Sequence, residues 1–253
     1  MQTLSPSVKR SVSRVALLEE SEALLIDEKK PSFPADASVE VQFLRHRSRF
    51  AFRAGQFLKR AADVVLASAG LCVLSPLLAV LAVSVKATSP DGPILYHSPR
   101  VGRQGKTFHM YKFRTMRTDA DALRDQLREE ANLQGQLFKI KNDPRITPIG
   151  HILRAYSLDE LPQLFNVLRG EMSLVGPRPL PPDESAWFQS PYTLRYQVTP
   201  GITGAWQVNG RSNADFKTLA RLELDYVLGW SLLKDLQLLF KTFPAVLCRS
   251  GAY

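Results

Sequence analysis

One uncharged segment constrains the fold more than any other feature of this chain. The 22 residues from Val64 to Val85 contain no Asp, Glu, Lys or Arg. As an α-helix they would extend about 33 Å, close to the thickness of the hydrocarbon layer of a bilayer. No second segment of the 253 residues is comparable. The sequence therefore predicts one membrane segment, and because residues 1–30 mix acidic and basic side chains, we expect no cleaved leader.

Basic residues flank this segment on both sides. Six Lys or Arg lie in the 20 residues before Val64, and four lie in the 21 residues after Val85. The positive-inside rule would keep both flanks in the cytoplasm, which a spanning helix cannot do. Within the run, Pro76 removes the donor for the Cys72 carbonyl, and the Ser75 hydroxyl can partly replace it. We therefore predict a re-entrant helix broken at this Ser-Pro pair, with a proline-kinked spanning helix as the alternative.

The charge balance indicates which surface the chain contacts. It carries 33 Lys and Arg against 24 Asp and Glu, a formal net charge of +9. Arg45–Arg60 contains six basic and no acidic residues. Near anionic lipid each such residue contributes about 1 kcal/mol. Nucleic acid is the competing partner, but no recognition motif accompanies the cluster, so we expect none to bind. We expect lipid-headgroup contacts at Lys59, Arg60, Ser75 and Pro76.

Outside the membrane segment, residue patterns predict short elements of both kinds. Residues 1–42 mix Ser, Pro, Glu and Lys and are expected to be mostly disordered. The predicted elements are a short helix near Val15–Leu25, strands at Ile94–His97 and Thr107–Phe113, helices at Asp119–Ala131 and about Asp159–Leu168, and one or two amphipathic helices in Leu219–Leu247. The apolar stripe of the last segment suits either a membrane interface or a protein core.

Asp159 and Glu160 are adjacent carboxylates at the start of a predicted helix. Ser157 and Glu160 have the spacing of a capping box, so a structural role in starting the helix is one interpretation. A catalytic role is the other. With either helix start, the positive end of the helix is expected to lower the pKa of Asp159 and keep it ionised.

Basic residues in short motifs favour the catalytic interpretation. Arginine matches phosphate oxygens bidentately, and prolines on both sides of Arg178 would fix its direction. Two acids with several cations indicate a divalent ion and a phosphorylated substrate. The candidate phosphate-binding residues are Lys112, Arg114, Arg154 and Arg178.

Six ordered motifs together resemble one known family. They are Lys59-Arg60 with Asp63, Ser75-Pro76, Tyr111–Met116 (YKFRTM), Asn142–Thr147 (NDPRIT), Ser157–Pro179 (SLDELPQLFNVLRGEMSLVGPRP) and Pro200–Ser212 (PGITGAWQVNGRS). This pattern is similar to that of the bacterial sugar transferases, the polyisoprenyl-phosphate hexose-1-phosphate transferases. The similarity covers about residues 56–253.

The resemblance implies an α+β fold, a monotopic membrane domain with a Ser-Pro-broken re-entrant helix, interfacial amphipathic helices and a few short strands. It implies a sugar transferase domain at 56–253, with the re-entrant helix at about 61–86, after a largely disordered basic extension at 1–55. The expected location is the cytoplasmic face of the bacterial inner membrane.

Family members transfer a sugar-1-phosphate from a UDP-sugar to undecaprenyl phosphate and release UMP, the first membrane step of exopolysaccharide or O-antigen assembly. The resemblance implies that Asp159 is the nucleophile, forming an aspartyl-phosphosugar intermediate, and that Glu160 ligates Mg²⁺. It places the four cations around the phosphates, and it makes Trp206, Gln207 and Arg211 donor-binding candidates. Downstream glycosyltransferases are further candidate partners.

Two alternatives fit the same motifs. One is an inactive membrane-surface scaffold of the same fold, and the other is an enzyme that transfers to a different lipid acceptor. All the core acidic and basic residues are present, which disfavours the scaffold. The sequence does not select among glucose, galactose and other donor sugars.

Overall fold

The computed structural model describes residues 50–120, 122–123, 143–188, 190–209 and 216–247. Four expectations concern residues outside these ranges: the disordered extension up to residue 49, the helix near Val15–Leu25, most of the helix at Asp119–Ala131, and the role of Arg211. Within the described part, helices alternate with short strands, in agreement with the mixed helix-and-strand prediction.

The longest element is helix α1, Phe50–Thr88, which extends beyond the predicted 61–86 at both ends. An 18-residue window in it has a mean hydropathy of 2.4 and is 11% buried, so by length and composition this helix could cross a membrane. α1 continues through Pro76 as one element. The Ser75 hydroxyl donates to the Cys72 carbonyl at 2.8 Å, which confirms the predicted replacement of the missing donor. The re-entrant course of α1 stays a prediction.

A buried polar cluster attaches α1 to the rest of the protein. Asp63 on α1 accepts a hydrogen bond from the Ser173 hydroxyl at 2.7 Å. Lys59, one turn earlier, donates to Asp235 at 2.7 Å, and Asp235 also accepts from the Tyr226 hydroxyl at 2.7 Å. These five residues are called the anchor cluster below.

An antiparallel hairpin follows α1. Its strands are β1, Leu95–Val101, and β2, Thr107–Phe113, joined by a 3-10 turn at Arg103–Gly105. The two predicted strands are therefore confirmed, and the first is longer than expected. Phe113 packs with Leu81 of α1 in a small core cluster, so the hairpin lies against the membrane helix.

Helix α2, Pro148–Ala155, begins at a side-chain cap. The Thr147 hydroxyl accepts from the Gly150 amide at 3.1 Å. Gly150 is needed because a Cβ there would lie 2.1 Å from the Thr115 carbonyl oxygen. This close approach fixes α2 against the chain that leaves β2.

A 3-10 turn, Leu158–Glu160, separates α2 from helix α3, Gln163–Arg169. The predicted helix from Asp159 is therefore wrong in its first part. α3 ends at Gly170, whose φ of 80° is in the left-handed region that glycine adopts without strain. Leu164 and Val167 of α3 pack in a cluster with Ala67 of α1.

Two short parallel strands connect the regions on either side of the cavity described below. They are β3, Ser173–Val175, and β4, Gly201–Thr203. A Cβ on Gly201 would lie 2.0 Å from the Gly176 amide nitrogen, so only glycine permits this approach. The pairing places the segment after β3 beside helix α5, Ala205–Asn209.

Three of the remaining elements form the largest core cluster with β3 and α5. They are a 3-10 helix at Tyr192–Gln197, α6 at Phe216–Leu228 and α7 at Leu232–Leu247. The short helix α4, Pro182–Ser185, contributes no residue to this cluster. The prediction of one or two helices in Leu219–Leu247 is confirmed: there are two, and the first begins slightly earlier, at Phe216.

The apolar stripe of these two helices has two different environments. On α6, Tyr226 is buried in the core. On α7, Leu233, Phe240 and Phe243 are exposed at 63%, 66% and 68%. The core-facing interpretation therefore holds for α6. The exposed apolar side chains of α7 are compatible with the interfacial interpretation, which stays a prediction.

Candidate active site

A cavity of about 780 Å³ lies between the hairpin, the 3-10 turn before α3, the segment after β3 and helix α5. Eight of the residues singled out in the sequence line it: Lys112, Arg114, Arg154, Asp159, Glu160, Arg178, Trp206 and Gln207. The fold therefore brings both predicted acids, all four predicted cations and two of the three donor-binding candidates into one space.

The 3-10 turn presents both acids to this cavity. Ser157, directly before it, has a left-handed φ of 55°, and its side chain makes no capping hydrogen bond. Because α3 begins only at Gln163, neither Asp159 nor Glu160 lies in its first turn. The capping-box interpretation is therefore wrong.

Lys112 on β2 is the cation nearest to the acids. Its ammonium donates to Glu160 Oε1 at 2.6 Å and lies 3.8 Å from Asp159 Oδ2. Arg178 lies 3.7 Å from the same Glu160 oxygen. Within the described part of the chain, no donor forms a hydrogen bond to the Asp159 carboxylate. The neighbouring cations contact Glu160 more closely than they contact Asp159.

Asp159 is only 7% exposed, and this burial raises its pKa above the ordinary value. The charge of Lys112 opposes the rise, Glu160 adds to it, and Arg154 and Arg178 oppose it further. The expectation of a lowered pKa was wrong, because it placed Asp159 at a helix terminus rather than in a buried 3-10 turn.

Arg154 and Arg114 line the cavity at different depths. Arg154 on α2 donates from Nε to the Thr115 hydroxyl at 2.9 Å, and burial lowers its pKa. Arg114 donates from Nε to the Pro93 carbonyl at 2.9 Å in an exposed contact. The geometry therefore supports Arg154 more strongly than Arg114 as a ligand for buried phosphate oxygens.

Both the backbone and the side chain of Arg178 make contacts that hold this residue in place. Its amide donates to Glu223 at 2.7 Å, and its carbonyl accepts from the Arg195 guanidinium. Arg195 and Glu223 form a buried ion pair at 2.9 Å. The Arg178 guanidinium lies 5.4 Å from the centre of the Trp206 ring, a cation–π contact that joins a phosphate candidate to a donor-binding candidate.

Sequence reasoning missed three of these charged residues. Glu223 and Arg195 are 1% and 4% exposed. A usable signal for Glu223 was its place on α6 at helical spacing with Leu219 and Val227, both buried. Arg100 on β1 lines the cavity as well, although in the sequence it was counted only as a charge that flanks the membrane segment.

The proposed lipid-headgroup residues lie outside the cavity wall. Lys59 belongs to the anchor cluster. Arg60 donates to the carbonyls of Val167 and Leu168 at 2.6 and 2.9 Å, where it neutralises the C-terminal end of α3. These contacts give both cations protein partners, and their role toward lipid headgroups stays a prediction.

The acids of the cavity fit a magnesium site in which the substrate supplies some of the ligands of the ion. No cluster of three or more His, Cys, Asp or Glu suited to a metal occurs among the described residues. Mg²⁺ in phosphate enzymes, however, often takes one or two carboxylates and completes its shell with water and substrate phosphate oxygens. Glu160 and Asp159, side by side on the cavity wall, supply such oxygens.

Comparison with known proteins indicates the family of this chain. The family model for the bacterial sugar transferases matches residues 54–249. An undecaprenyl-phosphate galactose phosphotransferase of Salmonella typhimurium is 44% identical over 220 residues, 85% of this chain and 46% of that protein. The exopolysaccharide production protein ExoY of Rhizobium meliloti is 40% identical over 203 residues, 79% of this chain and 89% of ExoY.

A UDP-glucose:undecaprenyl-phosphate glucose-1-phosphate transferase of Caulobacter vibrioides is also 40% identical over 203 residues, 77% of this chain and 72% of that protein. The chain spans about half the length, 46%, of the Salmonella protein and of similar proteins from Haemophilus influenzae and Erwinia amylovora. The matched region includes every part of the cavity wall described above. The chain belongs to the bacterial sugar transferase family.

Proposed function

We propose that this protein transfers a sugar-1-phosphate from a UDP-sugar to undecaprenyl phosphate and releases UMP, the first membrane step of exopolysaccharide or O-antigen-type glycan assembly. The observation that carries the proposal is the buried Asp159 carboxylate, which faces a cavity lined by Lys112, Arg154 and Arg178. The names of the Salmonella and Caulobacter proteins support the classes of donor and acceptor.

Asp159 is proposed as the nucleophile. A carboxylate oxygen attacks the phosphorus that carries the sugar, and a new P–O bond forms while the bond to the bridging oxygen of the diphosphate breaks. UMP leaves with the electron pair of that bond. A phosphate oxygen of undecaprenyl phosphate then attacks the same phosphorus and releases Asp159 as a carboxylate. The cavity therefore serves a soluble donor and a lipid acceptor in turn.

The arrangement of charges suits this chemistry. Asp159 accepts no hydrogen bond within the described part of the chain, so its ionised form is poorly stabilised and correspondingly reactive. Lys112, Arg154 and Arg178 offset the negative charge of the phosphate oxygens. Trp206 and Gln207 are proposed to contact the donor beside Arg178, and Arg211 is proposed for the same role.

Mg²⁺ is proposed as the cofactor, with Glu160 as its protein ligand. When bound, the ion neutralises charge on the phosphate oxygens. Glu160 now accepts a hydrogen bond from Lys112, so an ion bound to this carboxylate would take the place of the ammonium. Lys112 would then be free to donate to a phosphate oxygen of the substrate.

The proposed location is the cytoplasmic face of the bacterial inner membrane. The exposed apolar side chains of α1 and α7 supply surface for a bilayer, and the acceptor is a membrane lipid. Downstream glycosyltransferases are proposed to use the lipid-linked product. The domain that carries the activity is proposed to be 56–253 with its membrane helix, and the family model matches most of this range, at residues 54–249.

Acceptor-free release of UMP tests the proposal. The full-length protein, incubated with Mg²⁺ and a radiolabelled UDP-sugar and then quenched, should release up to one equivalent of UMP and retain the label. Asp159→Asn should release none, whereas Asp119→Asn, at an exposed acid, should behave as wild type. UMP that forms only after undecaprenyl phosphate is added would indicate direct transfer.

A panel of UDP-sugars with undecaprenyl phosphate identifies the donor by its lipid-extractable product. If no sugar in the panel yields such a product with undecaprenyl phosphate or with another lipid, and none releases UMP, the result supports the scaffold alternative. A labelled product that forms only with a different lipid supports the other alternative.

A further inference from the structure

Arg100, near the end of β1, has no place in the mechanism above. It lines the cavity, and its Nε is buried without a hydrogen-bond partner among the described residues. No carboxylate of the described residues forms an ion pair with it within 4 Å. An unmatched guanidinium in a cavity wall is costly unless an anion occupies the space in front of it.

One backbone contact brings the end of β1, and with it Arg100, close to the segment that carries Arg178. The Val101 amide donates to the Leu180 carbonyl at 2.9 Å, so β1 ends against the segment that carries Arg178. In the hairpin, Arg100 pairs with Phe108 and Tyr96 pairs with Lys112, so Arg100 and Lys112 lie on one face of the sheet.

Arg100 and Lys112 lie at opposite ends of this face. Arg100 is four residues along β1 from the partner of Lys112, a separation of about 13 Å at 3.3 Å per residue. Arg178 lies between them, because it reaches Glu160 beside Lys112 and its segment pairs with the end of β1. The cavity therefore has room for a second phosphate beyond the one at Lys112.

Two cations, Arg100 and Arg178, line the cavity together with two acids, Asp183 and Glu184. Burial and the charge of Arg178 lower the pKa of Arg100 to about 10, so the guanidinium stays protonated at neutral pH. Glu184 and Glu160 oppose this shift, but neither forms an ion pair with Arg100. Two guanidinium groups share one space.

We propose that Arg100 and Arg178 form a binding site for a phosphate monoester dianion, separate from the position of the phosphorus that Asp159 attacks. The proposal rests on the proposed function and extends it. Both UMP and undecaprenyl phosphate carry this group, so the site holds the phosphate that leaves in the first step or the phosphate that attacks in the second. Two planar guanidinium groups match the oxygens of a dianion better than one.

The proposal is tested by measuring kinetic and binding constants for one set of variants. The full-length protein is compared with Arg100→Met, Arg100→Lys and Arg103→Met, the last a matched control in the exposed turn three residues away. The measurements are the inhibition constant of UMP, the KM for a short-chain polyprenyl phosphate in detergent, and calorimetric binding of UMP.

Arg100→Met should raise the inhibition constant of UMP or the KM for the polyprenyl phosphate about 10-fold or more, because it removes charge-assisted hydrogen bonds. An increase in the UMP constant assigns the site to the leaving phosphate, and an increase in KM assigns it to the acceptor. Arg100→Lys should recover part of the loss, and Arg103→Met should change neither constant. Both constants within about twofold of wild type in Arg100→Met would overturn the proposal.

Failure of this proposal can be distinguished from failure of the covalent mechanism. If the wild type gives no acceptor-free UMP, the covalent mechanism fails, but calorimetric binding of UMP still reports on Arg100. If Arg100→Met does not fold, Arg100→Lys decides, since it keeps the charge and loses the planar fork. Wild-type constants in Arg100→Lys, together with wild-type UMP binding, would then count against the site.

Discussion

Two groups of buried charges in this protein are built in opposite ways. The anchor cluster joins α1 to the core, and a second group, the reactive cluster, lines the cavity. The reactive cluster consists of Lys112, Arg154, Asp159, Glu160 and Arg178. Both groups contain acids next to cations. Among the described residues, only in the anchor cluster does every carboxylate accept hydrogen bonds.

In the anchor cluster each carboxylate oxygen has a donor. Asp63 accepts from the Ser173 hydroxyl and the Leu174 amide at 2.7 and 3.1 Å. Asp235 accepts from Tyr226 on one oxygen and from Lys59 on the other. Such saturation stabilises the ionised carboxylates, as is typical of charges that hold structure together.

In the reactive cluster Asp159 has neighbouring cations but no hydrogen bond within the described part of the chain. Its nearest cation, Lys112, bonds Glu160 instead. Burial raises the pKa of Asp159, and no hydrogen bond from the described residues offsets that rise. The difference indicates that the buried Asp159 carboxylate lowers the stability of the folded protein, and Asp159 is the residue proposed as nucleophile.

The largest expected effect on stability comes from breaking the anchor cluster. Asp235→Asn leaves Lys59 with only Asp63, at 3.9 Å, and weakens the attachment of α1. We expect a loss of about 3 kcal/mol in the free energy of unfolding, measured by denaturant titration in detergent. The control is Asp225→Asn, whose ion pair with Lys234 at 3.7 Å is much more exposed and is worth at most about 1 kcal/mol. Equal losses in the two variants would contradict the distinction.

Lys112→Met tests the reactive cluster in two ways. Loss of a positioned cation should lower kcat by about 10²–10³-fold. Because Lys112 opposes the rise in the pKa of Asp159, its removal should raise that pKa further. Activity requires ionised Asp159, so the acid limb of the pH–rate profile should move to higher pH. Lys106→Met, in the exposed turn of the same hairpin, should leave both the rate and the limb unchanged. An acid limb that stays in place would contradict the assignment to Asp159.

Local patterns were sufficient for much of the fold. Alternation and turn residues gave the hairpin, and helical spacing gave α6 and α7. The motifs also identified eight residues that meet in one cavity. These predictions succeeded because each depends on residues that are close together in the sequence.

The failures concern contacts between distant residues. Lys59 bonds Asp235, 176 residues away, and no local pattern indicates that pairing. The predicted direction of the pKa shift of Asp159 was wrong, because the shift is set by burial of this carboxyl under β2 and the segment after β3. The part played by Arg100 likewise depends on the end of β1 meeting Leu180.

The smallest expected effect compares two buried aspartates with opposite shifts. Because the pKa of Asp159 is raised above 3.8, its ionised form is disfavoured by folding, and Asp159→Asn should raise the Tm at neutral pH. Burial alone would also raise the pKa of Asp143, but its hydrogen bonds to Arg145 lower it, so Asp143→Asn should lower the Tm. Each 1 kcal/mol corresponds to about 2–4 °C.

The pH dependence separates these effects from packing. The gain in Asp159→Asn should shrink as the pH falls through the raised pKa of Asp159 and vanish below 3.8, where the wild-type carboxyl is protonated in both states. The loss in Asp143→Asn should be complete above 3.8 and fade as the pH falls through the lowered pKa of Asp143. Thermal unfolding at a series of pH values measures both. A Tm gain in Asp159→Asn that persists at low pH would show that the raised pKa is not its cause, and the contrast between Asp159 and the hydrogen-bonded Asp143 would lose its physical basis.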